Sequence, residues 1–382
     1  MSDSGDSPPP GARPASTTPS AEARADAQRR AESERRAGLL RRLARRTRAS
    51  AEIVVPAVPS LAGHYADMLA DHFAALGREF SQEDIAGMQR MLLDKAIEGF
   101  RASPYSNVFV RYHTAEDGTL RIDYAIAAAT SSIAEEYEHW VKTREPPLFG
   151  ESPDARLLAA LEGLDPAAPC LDVGAGTGRN ALPMARRGHE VFAVETAPAL
   201  ADVLEAAAGA EGLPVRVVRA DVLAGELPVP RARCALALAS QVTSHFRSRD
   251  DLRRLLAALA LALAPDGHAL ITAFLTRSDY RPDRVARELS QVFWSTFFTP
   301  ADLAGALEGL PLRLVSDEDA LAYERAHQPE DRWPPTGWYE SWAQGEDVFG
   351  PLSTPPISLR WLVLRRVPGE VPAIGSPAAA AD

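Results

Sequence analysis

With 382 residues, 46% of them hydrophobic, the chain can bury one large core with additions or two cores; with only Cys170 and Cys234 it is not a disulfide-built scaffold. The formal net charge of −11 disfavours general nucleic-acid affinity, although residues 24–48 concentrate ten arginines against Asp26, Glu32 and Glu34. No apolar run reaches the roughly 18 residues of a membrane span, and MSDSGDSPPPGARPAS lacks a secretory h-region, so a soluble cytoplasmic protein is expected.

Residues 1–50, poor in large apolar side chains, read as a disordered Arg-rich tail with helix near 21–47 as the alternative. Such a tail is ordinarily a solvated segment; the other reading is an arm for RNA or an anionic membrane. Residues 51–150 read as a helical and hairpin extension. SLAGHYADMLADHFAALG lines Leu61, Tyr65, Met68, Leu69, Phe73 and Leu76 along one helical face. Ser81 with Asp84 starts a second helix, VFVRYHT and LRIDYAIA flank AEDG as a hairpin, and Ser132 with Glu135 forms a capping box. Ser152 and Pro153 then read as N-cap and first residue of another helix.

Residues 151–367 read as one α/β domain, followed by a second floppy tail over 368–382. Apolar strands PCLDVGA, EVFAVE, VRVVRAD, CALALAS and HALITAFL alternate with helical RNALPMARRG, PALADVLEAAAG and RDDLRRLLAALALAL. LRLVSDEDALAYE and ISLRWLVLRR add two more strands. This pattern predicts a doubly wound, seven-stranded, mostly parallel sheet. Both cysteines sit in apolar runs and read as core; no Cys or His pair has zinc-ligand spacing, and no metal is expected.

The turn after the first strand, LDVGAGTGRN, carries the functional question. Glycines there let backbone approach a ligand at the carboxyl end of a parallel sheet. A dinucleotide fingerprint is G-x-G-x-x-G; this chain has G-x-G-x-G at Gly174, Gly176 and Gly178. Asp172 precedes it, and a carboxylate there repels a pyrophosphate but suits the ammonium and sulfonium of S-adenosylmethionine. Glu195 ends the second strand, about twenty residues on, where an acid binds ribose hydroxyls in either ligand class. Asp221 ends the third, placed to accept from an adenine amine while Val222 packs on the ring.

Together these motifs resemble the class I S-adenosylmethionine-dependent methyltransferases over about residues 150–280, with LDVGAGTGRN, VFAVE, RADVL, ASQVTSHF and LAPDGHALITAFL in order. GRNALPMARRGHEVFAVE is further similar to tellurite-resistance-type methyltransferases that act on small molecules. The resemblance implies cofactor contacts at Asp172, Gly174, Ala175, Gly176, Gly178, Asn180, Glu195, Thr196, Asp221, Val222, Ser240 and Gln241. His245, the histidine nearest the reacting end, is the candidate base, with a structural role as its alternative. Tyr105, Tyr137, Trp140, Tyr280, Trp294 and RWPPTGWYESW at 332–342 offer an aromatic acceptor wall, although each alone is more often packing, as are Phe246 and Phe274. Arg111, Arg281 and Arg284 are candidates for an acidic acceptor. The expected activity is methyl transfer to a small molecule; the alternatives are RNA or protein methylation through the basic arm, and a non-catalytic cofactor-binding regulator.

Overall fold

The computed structural model describes residues 21–117 and 119–372. Ala21–Ala44 forms α1, so over those residues the helical alternative is the one observed; residues 1–20 and 373–382, where floppy tails are expected, lie outside the described residues. The end of α1 is tied down: buried Arg78 donates to the Ala44 carbonyl at 3.0 Å.

The extension has its own core. β1 (Ser50–Pro56), β2 (Asn107–Thr114) and β3 (Ile122–Ala129) form an antiparallel sheet in that order. α2 (Ala62–Ala75) and α3 (Gln82–Ala102) pack on it around Leu69, Phe73, Leu92, Val108 and Val110. The capping boxes at Ser81–Asp84 and at Ser132–Glu135, which opens α4 (Ile133–Thr143), form as expected. The strand β1 was not anticipated; it falls across the expected boundary at residue 50.

After α5 (Ala155–Leu161) come β4 (Cys170–Val173), α6 (Ala181–Arg186), β5 (Val191–Glu195), α7 (Pro198–Glu211), β6 (Val215–Arg219), β7 (Cys234–Ala239), α8 (Arg249–Ala262) and β8 (Leu263–Thr276). Then follow α9 (Arg284–Val292), β9 (Phe297–Phe298), α10 (Pro300–Leu307), β10 (Leu312–Asp319), α11 (Ala320–His327), α12 (Tyr339–Ala343), α13 (Glu346–Phe349) and β11 (Ile357–Arg366). The strand order is β10-β11-β8-β7-β4-β5-β6, with β11 antiparallel to both neighbours and short β9 added to β8. This is the expected seven-stranded, mostly parallel sheet, with one short strand more.

Alternate residues of each strand feed two cores. Phe192, Val194, Ala237 and Ile271 face α8 and α10, while Val191, Ala193, Leu236 and Leu270 face the helices of the other side. Cys170 and Cys234 are free and buried. Two boundaries differ from expectation. The N-cap of α5 is Asp154, not Ser152; its carboxylate is held elsewhere, and Glu324 of α11 accepts from the Ala155 and Arg156 amides at 2.7 and 3.1 Å instead. LRLVSDEDALAYE is strand only to Asp319, whose side chain then caps α11 by accepting from Ala322 N–H at 2.8 Å.

Candidate functional site

Strand order reverses between β4 and β7: the chain first moves outward through β5 and β6, then returns to lay β7 and β8 on the other side. A crevice at such a point is where open α/β sheets bind ligands. A cavity of about 840 Å³ lies there, within the range of ~300–1,000 Å³ typical of small-molecule sites.

The glycine turn after β4 forms its floor, with φ of 69°, 55° and 95° at Gly174, Gly176 and Gly178. A Cβ on Gly174 would stand 2.4 Å from Val242 Cγ2, so this glycine permits the β4 and β7 loops to meet. A Cβ on Gly178 would stand 2.5 Å from Leu204 Cδ1; Gly178 serves packing and does not line the cavity, unlike Gly174, Ala175 and Gly176.

Glu195 braces the turn. Its Oε2 accepts from Gly176 N–H and its Oε1 from Ala197 N–H, both at 2.8 Å. Burial pushes its pKa up, against the pull of these amides. Thr196 lines the cavity beside it, as do Asp221 and Val222; Asp221 Oδ1 accepts from Leu223 N–H at 2.8 Å. Asn180 also lines the cavity, but its amide is committed to Asp154, accepting from the backbone N–H at 2.9 Å and donating to Oδ2 at 2.8 Å. Arg179 completes that cluster with a buried ion pair to Asp154 at 2.6 Å.

Asp172 lies beneath the floor rather than on it. It is 2% exposed, its Oδ2 has no hydrogen-bond partner, and burial raises its pKa to about 8 despite nearby Arg179. Ser240 Oγ, at the end of β7, is likewise buried without a partner. Gln241 follows in the left-handed region at φ 61°, held by its N–H donating to Thr272 Oγ1 at 2.6 Å. Such strain persists where surrounding structure over-determines it, commonly at ligand sites.

The opposite wall comes from elements far away in sequence. His245 sits in the loop after β7 between two tyrosines of the extension: Tyr105 Oη is 2.9 Å from Nδ1 and Tyr137 Oη 2.9 Å from Nε2. Burial lowers the His245 pKa to about 4, not near 7 as a freely titrating base would have. Trp294 packs edge-on to His245 and stacks on Trp140 with ring centres 4.7 Å apart. Phe149 closes the cavity over Gly176; it sits in a proline-rich turn without periodicity, so no sequence signal marked it. Trp338 and Trp342 also line the cavity, whereas Tyr280 packs on Phe349 outside it. Phe246 and Phe274 are buried, as the packing reading expects, though Phe246 also lines the cavity. None of the three candidate arginines does: Arg111 pairs with Glu52, Arg284 with Glu288, and Arg281 bonds the Ser278 carbonyl. Arg247, not singled out from sequence, clamps the extension to the core. Its guanidinium donates to the Phe100 and Arg101 carbonyls and to Gln291 Oε1.

These groups fit S-adenosylmethionine. Ser240 Oγ lines the cavity without a partner that an ammonium can supply, Asp172 Oδ2 lies unpartnered beneath the floor, and Arg179 is taken by Asp154 and not free for a pyrophosphate. Residues 170–267 match the family model described as a methyltransferase domain, whose cofactor is S-adenosylmethionine. No curated protein matches the chain. Among solved structures, geranyl diphosphate C-methyltransferase from Streptomyces coelicolor A3(2) is 16% identical, covering 63% of this chain and 100% of its own, with a TM-score of 0.45. A putative sarcosine dimethylglycine methyltransferase from Galdieria sulphuraria is 16% identical over 61% of this chain and 86% of its own, with a TM-score of 0.43. The [4+2]-cyclase SpnF is 20% identical over 56% and 80%, with a TM-score of 0.41. Among the described residues, no helix is long and apolar enough to cross a membrane.

Proposed function

We propose that the protein transfers a methyl group from S-adenosylmethionine to a small-molecule acceptor by in-line displacement. The observation that carries this reading is the acid set at the tips of neighbouring parallel strands, Asp172, Glu195 and Asp221, around a glycine turn whose own Arg179 is taken by Asp154. In this reading Asp172 and Ser240 serve the amino-acid end, Glu195 the ribose and Asp221 with Val222 the adenine. When bound, the cofactor supplies a methyl group already activated by its sulfonium. The chain's task is then to align the acceptor and exclude water. The aromatic wall does the second; His245, held neutral between two tyrosines, is the group nearest to do proton work. The tellurite-resistance-type likeness stays part of the proposal, supported by the run GRNALPMARRGHEVFAVE alone.

A second reading has one observation in its favour. Arg30, Arg36, Arg41 and Arg42 of α1 make no ion pair with a carboxylate among the described residues, leaving a basic arm free for RNA. Calorimetric titration with S-adenosylmethionine and with NADH tests the cofactor: binding of the first only is expected, and tight NADH binding refutes the reading. Incubation with labelled cofactor and either a metabolite extract or total RNA separates the two acceptor classes by where the label goes.

A further inference from the structure

The charges buried around the cavity are spoken for. Arg179 is held by Asp154, Arg247 by carbonyls of α3, and Glu195 by backbone amides. Arg144 lies at the exposed rim, its guanidinium 3.5 Å from the Trp140 ring centre. Asp347, an exposed carboxylate, also lines the cavity, and partial burial raises its pKa. The wall facing the glycine turn therefore presents aromatic rings and one hydrogen-bonded array, Tyr105–His245–Tyr137, while the charged lining groups without an ion pair among the described residues, Arg144, Asp221 and Asp347, stand at exposed positions.

Resting on the methyltransferase reading, we propose that this wall takes an uncharged, predominantly apolar acceptor through a single hydroxyl, which docks on Tyr105 and Tyr137 and loses its proton through them to His245. A neutral imidazole has one N–H and one bare nitrogen. With a tyrosine at each, one phenol must donate to the ring and the other must accept from it. The accepting phenol keeps its own O–H for the cavity; the donating one keeps a lone pair. The array thus offers a hydroxyl one donor and one acceptor, which is what a hydroxyl can satisfy and an ammonium or carboxylate cannot. A charged acceptor would also lose its hydration without replacement.

The step balances. The acceptor oxygen forms the new C–O bond to the methyl carbon while the C–S bond breaks, its electron pair staying on sulfur as a thioether. The hydroxyl proton passes to the tyrosine oxygen, whose own proton moves to His245. One positive charge leaves sulfur and one appears on the imidazole, so the cavity carries the same charge before and after. The groups bearing on the array are Glu136 and Arg247 beside Tyr105, and Glu195 beside Tyr137. Both phenols are raised by burial, so neither is ionised at neutral pH.

The test uses the full chain saturated with S-adenosylhomocysteine and three probes on one ring system: 2-naphthol, 2-naphthoate and 2-naphthylmethylammonium. Calorimetry is expected to show 2-naphthol binding at least tenfold tighter than either charged probe. Tyr105→Phe and Tyr137→Phe keep the rings and are each expected to weaken 2-naphthol at least threefold without changing S-adenosylhomocysteine affinity. With S-adenosylmethionine in excess, 2-naphthol is expected to gain one methyl group at a rate flat from pH 6 to 8. Equal or better binding of a charged probe, or no 2-naphthol binding to the loaded protein, overturns the acceptor class. Unchanged affinity in both Tyr→Phe variants, or a rate that titrates between pH 6 and 8, overturns the role of the array. Failure to bind S-adenosylhomocysteine at all is a different result, and strikes the methyltransferase reading beneath it.

Discussion

The α/β core and the extension in front of it solve burial differently. In the core, parallel strands are covered on both faces, so VFAV of β5 and CALALA of β7 are apolar throughout and alternate residues feed separate cores. In the extension, β2 alternates buried and partly exposed residues, as a sheet covered by helices on one face should. The contrast extends to the site. The core places its ligand by topology, at the reversal between β4 and β7, and needs only backbone turns and strand-end acids. The extension places Tyr105 and Tyr137 by docking, through Arg247 and through Ser60 N–H donating to Glu288 at 2.8 Å. On the proposed reading a division of labour follows: cofactor affinity would reside in the core, and acceptor selection would need the extension.

The strongest way to break that division is at the strand tips. Glu195→Ala removes the acceptor for two backbone amides as well as the proposed ribose contact; S-adenosylmethionine affinity by calorimetry is expected to fall at least tenfold, about 1.4 kcal/mol. Asp172→Ala is expected to do the same, and intact affinity in folded variants sinks the assignment. Next comes Arg247→Ala, which should loosen the extension at a cost of about 2 kcal/mol in urea unfolding while cofactor affinity changes less than threefold. A large loss of cofactor binding there means the two regions are not separable.

The pH dependence of cofactor binding sharpens the comparison further. A bound ammonium favours the ionised carboxylate of Asp172, whose pKa stands near 8, so affinity should rise with pH between 6 and 7.5, by up to about tenfold per unit. Asp172→Asn should flatten that slope. The stability effect has the opposite sense. Because the folded-state value lies above that of the unfolded chain, this carboxyl favours folding most below about pH 4 and loses that contribution as pH rises through about 8. At pH 8.5 the Asn variant without cofactor should therefore melt higher, by about 2 °C or more. The smallest effect is expected from Trp140→Leu: about 1 kcal/mol of stability from the lost stack on Trp294, with cofactor affinity unchanged.

The parallel winding, the capping boxes and the acids around the glycine turn were legible because each depends on residues close together in the chain: a two-residue alternation, a capping pair, a run of strand-end carboxylates. His245 was legible as a candidate, but its depressed pKa was not, since burial by Tyr105, Tyr137 and Trp294 has no local signature. The same holds for α5, whose end is capped by Glu324 from 169 residues away, and for the array itself, whose partners stand 140 and 108 residues apart. Local periodicity and residue chemistry set the α/β winding and the acid-lined turn, because hydrogen-bonding period and charge act within a few residues. The aromatic wall, the unpartnered oxygens of Asp172 and Ser240 and the pairing of two phenols on one imidazole arose only when distant segments closed over the sheet, because desolvation belongs to the assembled packing and to no stretch of chain.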